Sequence, residues 1–395
     1  MKARIAALSQ LAPAGCFART RSTGRFPYKH AFRLFHQQQK GGSASLRTGL
    51  LQYPRTLRGG GGWGDAVACN QFAQRRLFSG VDDSYVPTTF ESVVTDKYEV
   101  GDVLGVGSFG NVYMARLRGT NESYAIKAMD KERCKYAVLE CELLKSVDHP
   151  NVLKFVDYFE TDSHVYLVTE ALEGPELFDV LVNRDRPFEE PDTLVFVEQM
   201  LLAIEACHKK DFAHLDVKIE NLVFRERSLH SPLVLVDFGA AQRFVRAPYA
   251  DKSEYYIEGL DDETRELTPT RPAGTIPYNS PEVLNGLFSS RSDVWSVGVS
   301  MFVLLTGRRP FESMRSNSLE AEKSVARQIK WHGGTRSRPP KPLPIPDGIC
   351  SPATQHFLSR MTMGHPADRM SATEALRALR ALPTFPHDRR VIAEL

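Results

Sequence analysis

Between His214 and Asn221 the chain reads His-Leu-Asp-Val-Lys-Ile-Glu-Asn. A carboxylate (Asp216), an ammonium (Lys218) and a carboxamide (Asn221) fall within this one octapeptide. Acid–base chemistry is assembled from such groups, provided that the backbone holds them still. Apolar runs lie on either side, Met200, Leu201, Leu202 and Ile204 before it and Leu222-Val223-Phe224 after it. A loop held between a buried helix and a buried strand has this pattern. Alone, the octapeptide only suggests chemistry, and its weight depends on what else the chain supplies.

Three further groups supply it. Gly105-Val106-Gly107-Ser108-Phe109-Gly110 lies between two apolar stretches, Tyr98–Leu104 and Tyr113–Leu117. Without Cβ atoms, such a loop lets backbone N–H groups approach phosphate oxygens. Strand–loop–helix would indicate a dinucleotide fold, but here the order is strand–loop–strand, with Val112 placed to cover a base. A plain glycine-rich hairpin has the same signature. Lys127 then ends the strand Tyr124–Lys127, and a terminal lysine of this kind commonly just exits to solvent. The helix expected over Tyr136–Lys145 offers it Glu140, on the face opposite Leu139, Leu143 and Val147. A Lys–Glu pair orients an ammonium onto the phosphates of a nucleotide. Glu142 competes, and Glu140 is favoured for its distance from His149-Pro150-Asn151. The third group is Asp237, between Leu233–Val236 and Phe238-Gly239, a setting for a buried metal ligand or simply for an Asp-started turn.

The elements that must position these groups follow from the apolar periodicity. Val152–Tyr158 and Val165–Val168 add strands, so that five strands and one helix form a small lobe. Thr169-Glu170-Ala171-Leu172, with Gly174, crosses into a helix-rich part. There Glu176-Leu177-Phe178 opens a helix, Pro191–Cys207 forms a long second one, and Ser292–Thr306 carries Asp293 and Trp295. Arg369, late in the chain, is matched to Glu282 as a buried ion pair.

At 395 residues, with 42% hydrophobic and 25% charged residues, the chain has the composition of a soluble globular protein. The net charge of +2 hides an asymmetry, because residues 1–80 carry 13 Lys/Arg and a single acid, Asp65. Arg-rich, acid-poor and weakly amphipathic is the composition of an organelle transit peptide, and Arg75-Arg76-Leu77-Phe78-Ser79 looks like a mitochondrial processing site cut after Phe78. A disordered basic tail has the same composition, so mitochondrial and cytoplasmic locations both stay open. No nucleic-acid-binding motif accompanies the basic residues, and no nucleic-acid partner is expected. The six cysteines form no C-x-x-C pair, which suggests neither a zinc site nor a disulfide scaffold. The apolar run near Val297–Leu305 falls far short of the roughly 20 residues of a membrane span, and none is expected.

With these parts in this order, Tyr98–Phe385 resembles a eukaryotic-type Ser/Thr protein kinase, in style similar to the calmodulin-dependent kinase-like group. The resemblance implies a two-lobed α+β fold. A small five-stranded β lobe with one control helix (98–170) would precede a larger, mainly α-helical lobe (171–385). It implies ATP and Mg²⁺ as cofactors and protein Ser/Thr hydroxyls as acceptors. Gly105, Gly107 and Gly110 would cover the phosphates, Lys127 held by Glu140 would bind two of them, and Asn221 and Asp237 would ligate Mg²⁺. Asp216 would be the catalytic base, Lys218 would neutralise charge, and Thr275 would bridge to Asp216. Leu104, Val112, Ala125, Thr169, Glu170, Leu172, Glu176 and Val223 would complete the nucleotide site. Leu144, Phe155, His214 and Phe238 would form an apolar spine rooted on Asp293.

The chain departs from the family pattern in places. Leu215 replaces the arginine that pairs with a phosphate on the activation segment. Ile219 replaces a proline, and Ser280-Pro281-Glu282 stands for Ala-Pro-Glu. The segment from Asp237 to Glu282 is long, with an insert near 247–270 whose Ser253, Thr268, Thr270 and tyrosines are candidate phosphorylation sites. The stretch from Lys127 to Glu140 is short, so the control helix is expected to lose its first turn. Glu176 and Glu220 sit where similar kinases bind an arginine upstream of the target hydroxyl, which implies a modest preference for arginine there. Val303 stands where some of them have a second acid. Leu215 and the long segment motivate a second reading, a nucleotide-binding scaffold without transfer activity. Against it, Lys127, Asp216, Asn221 and Asp237 are all present.

Overall fold

A computed structural model describes residues 90–386, except 108–109, 185, 245–267, 270–273, 314–317 and 335–340. The basic arm, its processing motif, the tip of the glycine loop and most of the 247–270 insert lie outside the described residues.

Five antiparallel strands form the small lobe in the order β1-β2-β3-β5-β4. They are β1 (Tyr98–Gly107), β2 (Gly110–Leu117), β3 (Ser123–Asp130), β4 (Phe155–Glu160) and β5 (His164–Glu170). Strand periodicity assigns their faces. Tyr113 and Ala115, Ile126 and Ala128, and Tyr166 and Val168 bury into one cluster, which Phe90 and the short helix α1 (Ser92–Thr95) cover. The alternate residues Ala125, Lys127, Leu167 and Thr169 face the cleft. Val112 lies opposite Lys127, and Gly105 opposite Val112, so the cleft face runs across three strands in register.

The control helix is α2 (Ala137–Lys145), nine residues that open at Tyr136 without a side-chain cap. It is short, as the spacing implies. The strand expected over Val152–Tyr158 begins only at Phe155. Val152 instead bridges to Leu235, and the Leu153 N–H donates to the Leu235 carbonyl at 3.1 Å. These residues tie the helix-to-strand connection to the large lobe, and their β-branched and apolar character is spent there.

The large lobe is built on α4 (Glu190–His208) and α5 (Ser290–Thr306), which follow α3 (Leu177–Asn183). Both long helices are apolar nearly all round, which places them at the centre of the lobe. α5 starts two residues before the expected Ser292. The Ser289 N–H donates to Ser292 Oγ at 3.1 Å and the Ser292 N–H to the Ser289 carbonyl at 3.0 Å, and the Ser-x-x-Ser spacing lacks the acid that marks a helix start of this kind in sequence. Among the described residues, no helix is long and apolar enough to cross a membrane.

Candidate active site

The catalytic loop hangs from α5. Asp293, wholly buried, accepts the His214 N–H at 2.9 Å and the Leu215 N–H at 2.8 Å, and it is hydrogen-bonded to His208 Nε2 at 2.8 Å. Burial alone would raise the Asp293 carboxyl, but its hydrogen bond and charge interaction with His208 outweigh that and hold it below the usual range. His214 is also buried, which lowers its pKa and keeps the ring neutral. One neutral tautomer serves both of its contacts: Nε2–H donates to the Val236 carbonyl at 3.2 Å, and Nδ1 accepts the Asp216 N–H at 3.3 Å. The ring meets Phe238 edge-on at 4.8 Å, and Leu144 and Phe238 are buried beside it. Phe155, the remaining spine residue, packs half-buried against the same core.

Past this anchor the chemistry-bearing groups converge. Lys218 Nζ donates to Asp216 Oδ2 at 2.8 Å and to Thr275 Oγ1 at 2.7 Å, and Thr275 Oγ1 donates to Asp216 Oδ1 at 2.8 Å. Asn221 Nδ2 donates to the Asp216 carbonyl at 2.9 Å and to Oδ2 at 3.0 Å. Thr275 arrives here because Gly274 has φ +75°, where a Cβ would lie 2.3 Å from the Leu215 carbonyl oxygen.

A second cluster stands beside the first. Lys127 Nζ lies 2.7 Å from Glu140 Oε1 and 3.0 Å from Asp237 Oδ1. Burial would lower the Lys127 pKa, but the two carboxylates outweigh it and raise the value, so the ammonium is fixed as a cation. Strands β6 (Leu222–Phe224) and β7 (Leu233–Leu235) join the clusters, because their register pairs Leu222 with Leu235 and the Val236 N–H donates to the Asn221 carbonyl at 3.0 Å. Asp237 follows directly, in a left-handed backbone at φ 61°. Asn221 and Asp237 are thus neighbours, one offering an amide oxygen and the other a carboxylate. The Asn221 amide nitrogen is committed to Asp216, so its oxygen is the atom left for a cation. These are hard ligands of the type Mg²⁺ takes, in the small number it requires beside phosphate oxygens. Among the described residues, no cluster of three or more His, Cys, Asp or Glu is arranged as a metal site.

Of the residues that the resemblance assigns to a nucleotide site, Leu104, Gly105, Gly107, Gly110, Val112, Ala125, Lys127, Thr169, Glu170, Leu172 and Val223 line the cleft above. Gly110 is sterically required, since a Cβ there would come within 2.2 Å of the Ala128 carbonyl oxygen. Glu176 is the exception. It stands outside this lining, at the N-cap position of α3, where it makes no side-chain cap bond and its backbone bridges to Val223. The cleft also contains Val106, Glu140, Leu144, Leu153, Leu167, Val236, Asp237 and Phe238. The apolar residues among these that lie outside the spine carry no local signal beyond hydrophobicity.

Sequence reasoning also misses three ion pairs that join distant segments. One is Lys127–Asp237. In the second, Arg225 binds Glu170 through Nε and Nη2, both at 3.0 Å, and fastens the crossing between the lobes. In the third, Arg309 lies 3.1 Å from Glu220. Leu215 is buried with Ala213, Ala240, Val283 and Phe288, and Phe244 packs against them, so apolar packing fills the place of an arginine. The backbone of β8 (Thr268–Pro269) pairs with β9 (Leu287–Phe288) next to this cluster. Ser253, Thr270 and the insert tyrosines lie outside the described residues. Glu282 and Arg369 form the expected buried pair, at 2.6 and 3.1 Å.

The protein kinase domain model matches residues 98–379, and the chain belongs to that family. Calcium-dependent protein kinase 4 of Plasmodium falciparum (isolate 3D7) is 33% identical over 240 residues, 59% of this chain and 41% of the relative. Calcium-dependent protein kinase 5 of Plasmodium berghei (strain Anka) is 33% identical over 230 residues, 57% of this chain and 36% of the relative. The aligned part thus spans about two fifths of the length of these curated relatives. Both relatives are calcium-dependent protein kinases by name.

Proposed function

We propose that the protein transfers a phosphoryl group from ATP to serine and threonine hydroxyls of protein substrates. The observation that carries this reading is the assembly of Asp216, Lys218, Asn221 and Thr275 in one hydrogen-bonded group. Phosphoryl transfer has a loose transition state, so positioning and charge neutralisation dominate its catalysis. Asp216 accepts and orients the acceptor's proton, held by Thr275 on one oxygen and by Lys218 and Asn221 on the other. Lys218 balances the charge that develops on the transferred group. Lys127 binds nucleotide phosphates under the cover of Gly105, Gly107 and Gly110. Val112, Ala125 and Val223 flank the base, and the backbone of Glu170 and Leu172 offers it hydrogen bonds, while the small Thr169 leaves room behind. Asn221 and Asp237 would hold Mg²⁺, which when bound would neutralise phosphate charge.

The test is incubation of the full chain with labelled ATP, Mg²⁺ and a basic protein. Label is expected on serine and threonine, and nucleotide binding without transfer would leave only a scaffold. Of the two acids expected to attract an upstream arginine, Glu220 is paired with Arg309, so any such preference is modest.

The apolar packing of Leu215 supports activity that does not depend strictly on activation-segment phosphorylation. There is no guanidinium at this position to clamp a phosphate. Turnover is expected to be equal, within about twofold, before and after phosphatase treatment. Complete loss on dephosphorylation would refute this. The basic arm is proposed as a mitochondrial transit peptide. Protein recovered from mitochondria is then expected to begin at Ser79, and an intact arm on purely cytosolic protein would contradict it.

A further inference from the structure

An acid next to the catalytic group in the chain is Glu220, on the short turn Ile219–Asn221. It lies four residues beyond Asp216, and so within about 14 Å of it along the backbone. A peptide whose hydroxyl meets Asp216 therefore passes Glu220 a few residues from the acceptor. The Glu220 side chain is 21% exposed, but its Oε2 is buried and its Oε1 faces Arg309, so the carboxylate is shielded while that arginine is in place. Arg309 Nη2 lies 3.1 Å from Glu220 Oε1, and the Arg309 side chain is only 9% exposed. The guanidinium sits over the Tyr278 ring at 5.8 Å, and the Tyr278 hydroxyl bonds with both partners. Arg308, next in the chain, is exposed and adds a further positive charge. Val303 is fully buried and gives a peptide nothing to bind.

We infer that Arg309 is a specificity-determining residue: it occupies Glu220 as an internal ligand, so that the surface beside the acceptor site does not select arginine. The inference rests on the kinase reading. A tethered cation acts at an effective concentration in the millimolar range or above, whereas a peptide competes at micromolar levels. Arg309 is also stacked and largely desolvated, so an incoming guanidinium must break a formed pair to make an equivalent one. The preferred substrates are accordingly peptides without a basic residue facing Glu220, and the specificity they show arises elsewhere on the surface.

The experiment uses the full chain and pairs of serine peptides that differ only by Arg or Gln at each position from five before to four after the acceptor. The reading is the ratio of kcat/KM within each pair. For the wild type, the ratio at the position facing Glu220, the one that Arg309→Met changes, is expected within about twofold of one. In Arg309→Met, one position should gain about tenfold for Arg, equivalent to 1.4 kcal/mol. In Glu220→Gln/Arg309→Met that gain should vanish. If Arg309→Met does not fold, the wild type and the double variant, both neutral at this site, are compared directly. Equal ratios support the inference, and a ratio five times higher in the wild type overturns it. A wild-type enzyme that already prefers Arg tenfold, with the preference lost in the double variant, overturns this inference alone. A wild type that phosphorylates no peptide overturns the kinase reading, and this inference with it.

Discussion

Asp216→Asn is expected to lower kcat by roughly 10²–10⁴-fold, the usual worth of a positioned general base. The substitution keeps the size of the side chain but replaces one acceptor oxygen with a donor. Both oxygens are in use, Oδ1 by Thr275 and Oδ2 by Lys218 and Asn221. With its N–H turned to the Oδ2 side the amide faces two donors, Lys218 and Asn221; turned to the Oδ1 side it displaces the bond that the Thr275 hydroxyl donates. The loss therefore combines a missing base with a loosened Lys218 and Asn221. Lys127 and the glycine strands are untouched, so the KM for ATP should stay within about threefold. Steady-state kinetics on one serine peptide check both numbers. A kcat for Asp216→Asn within threefold of the wild type would remove Asp216 from the mechanism.

Arg369→Leu is expected to destabilise the large lobe by about 3–5 kcal/mol, the cost of leaving one member of a buried pair alone. Arg369 is wholly buried and makes five hydrogen bonds to Glu282, Met363, Gly364 and Arg291. In the Arg369→Leu variant the Glu282 carboxylate loses both guanidinium contacts and keeps the Ser292 hydroxyl at 2.8 Å. A fall in Tm of about 10 °C follows for a domain of this size. The pH dependence has a definite sign. Burial raises the Glu282 carboxyl, but the Arg369 charge and hydrogen bonds outweigh that and hold it below its ordinary 4.5. A carboxyl with a lowered folded-state pKa stabilises above its unfolded-state value, and that contribution is lost as pH falls through the lowered one. The gap between wild type and variant should therefore be widest above about pH 5 and narrow in acid. Thermal melts at pH 7 and pH 4 measure it. A constant gap would mean that the pair is not what holds Glu282.

Much of the site is legible in the sequence because its groups are short-range signals. Asp216, Lys218 and Asn221 share one octapeptide, and Asp237 stands at a marked boundary between an apolar strand and Phe-Gly. Helix facing and distance from His149-Pro150-Asn151 favour Glu140 over Glu142, and Glu140 is the residue at 2.7 Å from Lys127. The two-lobed architecture follows from five strand patterns ahead of helical ones. What escapes is set by contacts between remote segments. Lys127 and Asp237 are 110 residues apart, Arg309 and Glu220 are 89 apart, and Arg225 and Glu170 are 55 apart. Nothing local marks an arginine as the partner of a particular acid at such separation. Glu176, before an apolar helix, reads equally as a ligand or as a helix start, and the structure puts it at the N-cap position of α3, outside the cleft lining. The beginning of β4 is misjudged because Val152 fits a strand in sequence but is used as a bridge between lobes.

Asp211, Leu215 and Asp237 are the non-glycine residues with left-handed backbone among those described, and all three lie in or beside the loop at His214–Asn221 or at the end of β7. Such conformations cost on the order of 1–3 kcal/mol each and persist only where the surroundings over-determine them. At Leu215 the surroundings are Asp293 and the centre of α5. The segment proposed to do the chemistry is thus tied to a fully buried acid of the central helix, although it has the outward form of a surface loop. Its amide hydrogens at His214 and Leu215 belong with the slow-exchanging core, and the loop opens when the lobe as a whole opens. Heat should therefore abolish activity and unfold the large lobe in a single step, with no interval in which a folded protein carries a disarranged site.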